Sequence, residues 1–166
     1  SAFACHIIIQ NTDMKQQFYP SSSKITLIPR GVDTKEFSAE NPKNLSSEEI
    51  GIPVNSKVIM VVANLTPVKG IEYLIDAFSL ISDEEKSLYL VIVGDDDNDY
   101  AQKLKNIVRE KNNSDRILFL GKRHDISCLL KLAYIFVLPT LDKYRKEGSP
   151  VALLEAMASG VPSLAS

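Results

Sequence analysis

The chain lacks tryptophan, contains only two cysteines in 166 residues, and carries a formal net charge of -2. The two cysteines, Cys5 and Cys128, do not have the short spacing of metal ligands, so they predict free thiols in a reducing compartment. A nearly balanced charge provides no general attraction to nucleic acid or to anionic lipid. Any basic site must therefore be local.

Long hydrophobic runs are also missing. The apolar runs are only as long as β-strands, and the N-terminal residues have neither the basic region nor the hydrophobic segment of a signal peptide. Hydrophobic residues make up 45% of the chain and charged residues 24%, which is ordinary for one globular domain. These features predict a soluble, cytoplasmic protein. Because the chain stops directly after a predicted strand, we expect it to be a piece of a longer one.

Apolar runs without polar alternation predict parallel strands that are covered on both faces. These runs occupy residues 58–63, 88–93, 117–120 and 134–138. Helical patterns alternate with them at 71–81, 100–110 and 125–133, and a helix at 150–158 and a strand at 162–165 follow. The alternation predicts an α/β fold, a doubly wound, Rossmann-like parallel sheet with right-handed crossovers.

The residues before this sheet predict a separate, smaller arrangement. Residues 6–10 and 24–29 have the composition of two short strands, and residues 29–37 have that of a turn into a connector. The polar stretch 38–57 predicts a linker with one short helix. A nicotinamide dehydrogenase is disfavoured, because no Gly-x-Gly-x-x-Gly follows any predicted strand.

Polar loops follow four of the predicted strands, at residues 64–70, 94–99, 121–124 and 140–149. In open α/β sheets, ligands bind beyond the carboxyl ends of the strands. The four loops are therefore predicted to form the wall of a site.

Two of these loops carry cations. Lys69 stands beside Gly70 at a helix start, where free N–H groups and an ammonium could hold a diphosphate. Lys122 and Arg123 follow the third strand, and we expect them to converge with Lys69 on an anionic ligand, the alternative being a solvated surface. His124 is interpreted as a surface residue, since neither another histidine nor a paired cysteine lies near it in sequence.

The acidic loop, with Asp95, Asp96 and Asp97, allows two interpretations. The spacing of Asp95 and Asp97 suits a metal site. Alternatively, the acids favour the first turn of the next helix, and one of them caps it. The second interpretation is preferred.

Glu147 and Glu155 lie eight positions apart around one short helix. Ser149 is a suitable N-cap, Pro150 suits the first turn, and Gly160 can adopt the left-handed conformation that ends a helix. Because this helix is apolar nearly all round, it is predicted to be buried.

Glu155 is the only charged residue inside the helix, so its carboxylate needs either a ligand or a cationic partner. The alternative to a ligand is an ion pair with a lysine or arginine. For Glu147 the alternative is an exposed acid beside Lys146.

Together these motifs resemble the retaining glycosyltransferases of the GT-B architecture, family 4, also called glycosyl transferases group 1. The Glu-x7-Glu block at 147–162 is the specific part of the resemblance, which extends over about residues 6–166. The weaker motifs occur in the family's order: IPRGVD at 28–33 with Phe37, Lys69-Gly70, VIVGD at 91–95, FLG at 119–121 and VLP at 137–139.

The resemblance implies two Rossmann-like domains, of which the first binds an acceptor and the second binds a nucleotide-sugar donor in the cleft between them. On this basis residues 1–37 are the end of the acceptor domain and the connector, and residues 38–166 are the donor-binding domain, truncated at its C-terminus. Such a piece is expected to be inactive alone.

The resemblance also implies roles for individual residues. Lys69 and Glu147 would be catalytic, the first on the diphosphate and the second facing the donor sugar, and Glu155 would accept hydrogen bonds from ribose hydroxyls. The full set of implied donor-binding residues is Asn64, Lys69, Gly121, Lys122, Arg123, Glu147, Gly148, Ser149, Val151 and Glu155.

Two positions depart from the family pattern. Asn64 stands where an arginine is usual, which removes one cation from the diphosphate, and Asp96 stands where a glycine is usual, which adds negative charge near an anionic ligand. These departures leave open a second function, a non-catalytic nucleotide-sugar or protein-binding module.

The implied partners are a UDP- or GDP-sugar, which is a substrate, and the acceptor domain of the parent chain. Neither a cofactor nor a metal is expected. Nucleic acid is not an expected partner, and peripheral membrane association of the complete protein is compatible with the resemblance.

Overall fold

The computed structural model describes residues 6–10, 24–141 and 150–166 of the chain. Two strands, β1 (Ile7–Ile9) and β2 (Ile25–Leu27), pair in parallel as a small separate sheet. A five-stranded sheet with the strand order β5-β4-β3-β6-β7 follows. Its elements are β3 (Lys57–Val62), α1 (Ile71–Ile81), β4 (Leu88–Val93), α2 (Asp99–Arg109), β5 (Ile117–Phe119), α3 (Ile126–Leu130), β6 (Ile135–Leu138), α4 (Val151–Ala158) and β7 (Ser163–Ala165).

All neighbouring strands of the larger sheet are parallel. The chain moves from β3 outward to β5 and then returns to the other side of β3 with β6. This reversal is the switch point of a doubly wound sheet, and it confirms the predicted α/β Rossmann-like fold.

Side chains of the central strand β3 pack on both faces of the sheet. Ile59 and Val61 contact the layer of α1 and α2, whereas Val58 and Met60 contact the layer that contains α3 and α4. Successive residues of a strand point to opposite faces, so a strand covered on both sides needs an apolar residue at every position. This explains the unbroken hydrophobic runs.

Several predicted boundaries are confirmed within one or two residues. The predicted helix 71–81 and the predicted strand 88–93 coincide with α1 and β4, and a short 3-10 helix, Glu48–Ile50, lies in the predicted linker. The predicted helix 125–133 is too long, because α3 ends at Leu130 and a turn follows.

The start of α4 differs from the sequence prediction. Pro150 is the N-cap residue, with φ -73° and ψ 98°, and the helix begins at Val151. Pro150 therefore precedes the first turn instead of forming part of it, and Ser149, the predicted cap, lies outside the described residues. At the other end Gly160 has φ +74°, as predicted for the left-handed residue that follows a helix.

The predicted burial of α4 holds only in part. Ala156 is its only fully buried residue, and Met157 is 60% exposed. The helix packs on β6 and β7 through one side, and β7 is the last strand of the described sheet. An apolar sequence gives burial only where another element covers it.

The cap of α2 is also a correction. Asn98, not an aspartate of the acidic loop, is the N-cap, and its side-chain oxygen accepts a hydrogen bond from the backbone N–H of Ala101 at 2.9 Å. Asp99 lies in the first turn, where a negative charge interacts favourably with the helix dipole.

Among the described helices, none is both long and apolar enough to cross a membrane.

Gly94 allows the loops after β3 and β4 to approach closely. An ideal Cβ at this position would lie 2.0 Å from the carbonyl oxygen of Ala63. We therefore expect Gly94→Ala to lower the free energy of unfolding by about 1–3 kcal/mol, the usual range for overpacking, as measured by urea denaturation. Gly31→Ala is the matched control, since its Cβ would have no neighbour within 4 Å. Equal stabilities of the two variants would contradict this account.

Candidate functional site

Three of the four predicted loops meet at the carboxyl edge of the sheet. They enclose a pocket of about 270 Å³ beside the ends of β3, β4 and β5. Its lining residues are Val62, Ala63, Asn64, Val93, Gly94, Asp95, Lys122, Arg123 and Ile126. The pocket thus brings Asn64 together with Lys122 and Arg123.

The loop that carries Lys69 contacts the residues that follow β6. It forms a 3-10 turn, Pro67–Lys69, and the backbone oxygen of Val68 accepts a hydrogen bond from the N–H of Leu141 at 2.8 Å. Gly70 has φ +62°, and a Cβ there would lie 2.1 Å from the carbonyl oxygen of Pro139. Only glycine fits this contact without strain.

This geometry changes one expectation. Lys69 is partly buried and does not line the pocket that Lys122 and Arg123 line. The reason is the sheet order, because β5 and β6 lie on opposite sides of β3. The basic loop after β5 therefore meets Asn64, at the start of the 64–70 loop, while Lys69, near its end, lies beside the chain that leaves β6.

Glu155 lies one turn into α4 and is partly buried. Its pKa is raised above the usual value, chiefly because burial disfavours the charged carboxylate and secondly because the carboxylate of Glu36 repels it. Within the described ranges, no lysine or arginine forms an ion pair with Glu155. The alternative of a cationic partner for Glu155 therefore finds no support in this part of the chain.

The nearness of Glu36 was not anticipated from sequence. Glu36 belongs to the connector turn, where its N–H donates to the Asp33 carboxylate at 3.2 Å. The next residue, Phe37, is buried in the same cluster as Ala156 of α4. Packing of Phe37 thus brings a second acid toward Glu155, and no short-range sequence signal could have shown it.

Arg123 is bound by a carboxylate of its own loop. Its Nε and Nη2 donate to the two oxygens of Asp125, at 2.8 and 2.6 Å. This bidentate pair raises the pKa of the Arg123 guanidinium and lowers the pKa of the Asp125 carboxyl, in each case chiefly through the hydrogen bonds. The spacing of two residues was a signal that the sequence interpretation did not use. Part of the positive charge assigned to this loop is therefore already compensated.

The acidic loop makes local contacts. The carboxylate of Asp95 accepts from the N–H of Asp97 at 3.2 Å, and the side-chain amide of Asn98 donates to the Asp95 carbonyl at 3.0 Å. Asp96, the acid expected to add negative charge beside an anionic ligand, is paired with Lys105 at 2.6 Å. In the described part of the chain, no group of three or more histidine, cysteine or acidic side chains has a metal-binding arrangement.

The remaining predicted residues divide into two groups. Gly121, with φ +66°, begins the basic loop, and Val151 is the first residue of α4. Glu147, Gly148 and Ser149 lie outside the described residues.

Cys128 is a partly buried free thiol, as predicted, and Cys5 lies outside the described residues.

The sheet order, its helices and the loops at the carboxyl edge define a Rossmann-like α/β protein. Residues 42–166 match the family model described as Glycosyl transferases group 1. The chain belongs to this family, as the resemblance drawn from the sequence predicted.

Named relatives agree with this assignment. The chain is 35% identical over 167 residues to the Escherichia coli UDP-Gal:alpha-D-GlcNAc-diphosphoundecaprenol alpha-1,3-galactosyltransferase, an alignment covering 96% of this chain and 42% of that protein. It is 27% identical to a D-inositol 3-phosphate glycosyltransferase of Corynebacterium glutamicum, covering 92% of this chain and 38% of that protein. The chain thus spans less than half the length of these relatives.

Solved structures show the same fold. A glycosyltransferase from Rickettsia africae superposes with a TM-score of 0.81 at 21% identity, covering 96% of this chain and 44% of that one. Anabaena Alr3699/HepE in complex with UDP and glucose superposes with a TM-score of 0.78 at 23% identity, covering 99% of this chain and 45% of that one. The fold is therefore that of part of a GT-B glycosyltransferase.

Proposed function

We propose that this chain is the donor-binding part of a retaining, family 4 glycosyltransferase, which transfers a sugar from a nucleotide-sugar to an acceptor. The observation that carries the proposal is the state of Glu155. Its carboxylate is partly buried, it is repelled by the carboxylate of Glu36, and no lysine or arginine of the described ranges forms an ion pair with it. Sugar hydroxyls, which are neutral hydrogen-bond donors, can satisfy such a carboxylate.

The roles proposed for the site residues are those that the family resemblance implies. Lys69 is proposed to neutralise the departing diphosphate, and Glu147 to face the donor sugar. Glu155 binds the ribose hydroxyls, while Gly121, Lys122 and Arg123 lie against the base. Asn64 donates a hydrogen bond from the adjoining loop, and the backbone around Gly148, Ser149 and Val151 contacts the sugar or the phosphates. Pro150 contributes no N–H group.

Charge development explains why these residue types suit the reaction. In glycosyl transfer, positive charge develops on the anomeric carbon and negative charge on the leaving diphosphate. A fixed cation at the phosphates therefore stabilises the transition state more than the ground state. The N-terminal end of α4 adds a favourable dipole for an anion. In this proposal the nucleotide-sugar is a substrate, and neither a cofactor nor a metal takes part.

The proposed setting is the cytoplasm, in a complete protein that has an acceptor domain and that can associate with a membrane surface. Residues 1–37 would be the end of the acceptor domain and the connector, and residues 38–166 the donor-binding domain. The names of two similar proteins support a uridine donor, since the E. coli relative uses UDP-Gal and the Anabaena structure contains UDP.

Calorimetric titration of the complete protein tests the proposal. We expect UDP-glucose, UDP-galactose or GDP-mannose to bind, and the sugar to be transferred or slowly released to water with UDP or GDP as product. Failure of all three donors, and of free UDP and GDP, to bind would contradict the proposal.

A second candidate function is a non-catalytic nucleotide-sugar or protein-binding module. Asn64 favours it, because the pocket has an amide where a second cation would strengthen the hold on a leaving diphosphate. Donor binding without any release of nucleoside diphosphate, in the presence of total membrane lipid and polysaccharide acceptors, would support the module. Turnover would support the enzyme.

A further inference from the structure

The ion pair between Asp96 and Lys105 lies beside the pocket, and none of the roles described above involves it. Asp96 follows the pocket residue Asp95, and its Oδ2 lies 2.6 Å from the Nζ of Lys105 in the second turn of α2. The two side chains are only 28% and 30% exposed. A pair that is largely shielded from water interacts more strongly than one at the surface.

The carboxylate of Asp96 also packs on the loop that follows β5. Its Oδ1 lies 3.1 Å from the position that a Cβ of Gly121 would occupy. The backbone joins the same two loops, because the N–H of Gly94 donates to the carbonyl of Gly121 at 3.0 Å. Asp96 thus contacts the first residue of the basic loop, and the next two residues, Lys122 and Arg123, line the pocket.

Lys105 determines where the Asp96 charge lies. Its ammonium is 5.8 Å from the ring centroid of Phe119, the last residue of β5, so it contacts both the acid and the strand that leads to Gly121. With Lys105 in place, the carboxylate is held against α2 and is neutralised. Without it, the carboxylate would be uncompensated next to a pocket that is proposed to hold the base end of an anionic nucleotide.

We infer that Lys105 is a positioning residue for nucleotide binding: it holds the Asp96 carboxylate against Gly121 and neutralises it beside the pocket. The inference rests on the proposed function, since it assumes that an anionic nucleotide occupies the pocket. Lys105 acts through Asp96 and the basic loop, without contacting the nucleotide.

The test measures UDP affinity of the complete protein by calorimetry at low and high salt. Lys105→Met is expected to weaken UDP binding by about tenfold at low salt, because the uncompensated Asp96 carboxylate would repel a nucleotide that carries negative charge, and by less at high salt, which screens that repulsion. The double variant Asp96→Asn/Lys105→Met removes the uncompensated acid and is expected to recover most of the affinity.

Lys111→Met is the matched control. Lys111 forms an ion pair with Asp76 at 2.7 Å, is also 30% exposed, and follows the other end of α2. The control removes the same charge away from the pocket, and we expect its UDP affinity to equal that of the unmodified protein. Thermal melting of each variant measures any loss of fold separately.

The outcomes separate this inference from the proposed function. If the unmodified protein binds neither UDP nor GDP, both are wrong. If it binds UDP but Lys105→Met binds equally well, only the role of Lys105 is wrong. If the single and double variants are equally weak at both salt concentrations, the Asp96 charge is not the cause, and the inference is overturned.

Discussion

Lys69→Ala is expected to lower the kcat of sugar transfer by the complete protein by about 10²- to 10³-fold, the usual loss when one preorganised stabilising group is removed. The side chain extends from the end of the Pro67–Lys69 turn, which is fixed against the chain leaving β6 by Gly70 and by the Val68–Leu141 hydrogen bond. A cation held this way needs little rearrangement as the diphosphate departs. Steady-state kinetics with saturating donor provide the measurement.

The control for Lys69→Ala is Lys57→Ala. Lys57 begins β3, the same strand that leads into the Lys69 loop, but it lies at the opposite edge of the sheet and forms an exposed ion pair with Glu85. We expect the kcat of the control to be unchanged. A Lys69→Ala enzyme with a raised KM and an unchanged kcat would show that Lys69 binds donor and transition state equally, contrary to the proposal.

Glu155→Ala is expected to weaken UDP binding by about 100-fold, because hydrogen bonds to a charged group contribute about 1.5–3 kcal/mol each. Glu155→Gln keeps one acceptor oxygen but loses the charge, and a loss of about tenfold is expected. Titration calorimetry with UDP measures both. Glu36→Gln, which removes the acid that repels Glu155, is expected not to weaken UDP binding.

Glu155→Gln is expected to weaken UDP binding but not to lower the stability of the fold. The folded protein raises the pKa of Glu155, so between the ordinary and the raised pKa it binds more protons than the unfolded chain. The free energy of unfolding therefore falls as the pH increases through that interval, and the penalty persists at neutral pH. Glu155→Gln removes it, so the melting temperature at pH 7 should not decrease. A lower melting temperature with unchanged UDP affinity would show that the carboxylate is structural.

Local sequence patterns predicted most of the fold. The strand β4 and the helix α1 occur at their predicted residues, because each is one apolar pattern that ends at a strong local signal, such as Gly94 after the strand and Gly70 before the helix. The parallel sheet followed from strands that are apolar at every position. The arrival of Asn64, Lys122 and Arg123 at one edge followed in turn from the parallel sheet.

The pairing of the site residues could not be predicted in this way. Lys105 meets Asp96 only because α2 packs beside the end of β5, and Glu36 approaches Glu155 only because Phe37 is buried beside α4. The partial exposure of α4 likewise depends on the elements that cover it.

The sequence by itself therefore determined the order of strands and helices, the edge of the sheet that carries the site and the family of the protein. The tertiary structure decided most of the charge compensation, since the partners of Glu155 and Asp96 depend on how separate elements pack, whereas the pair of Arg123 with Asp125 is local in sequence. As a result, no described lysine or arginine pairs with Glu155, while Lys105 of α2 neutralises Asp96.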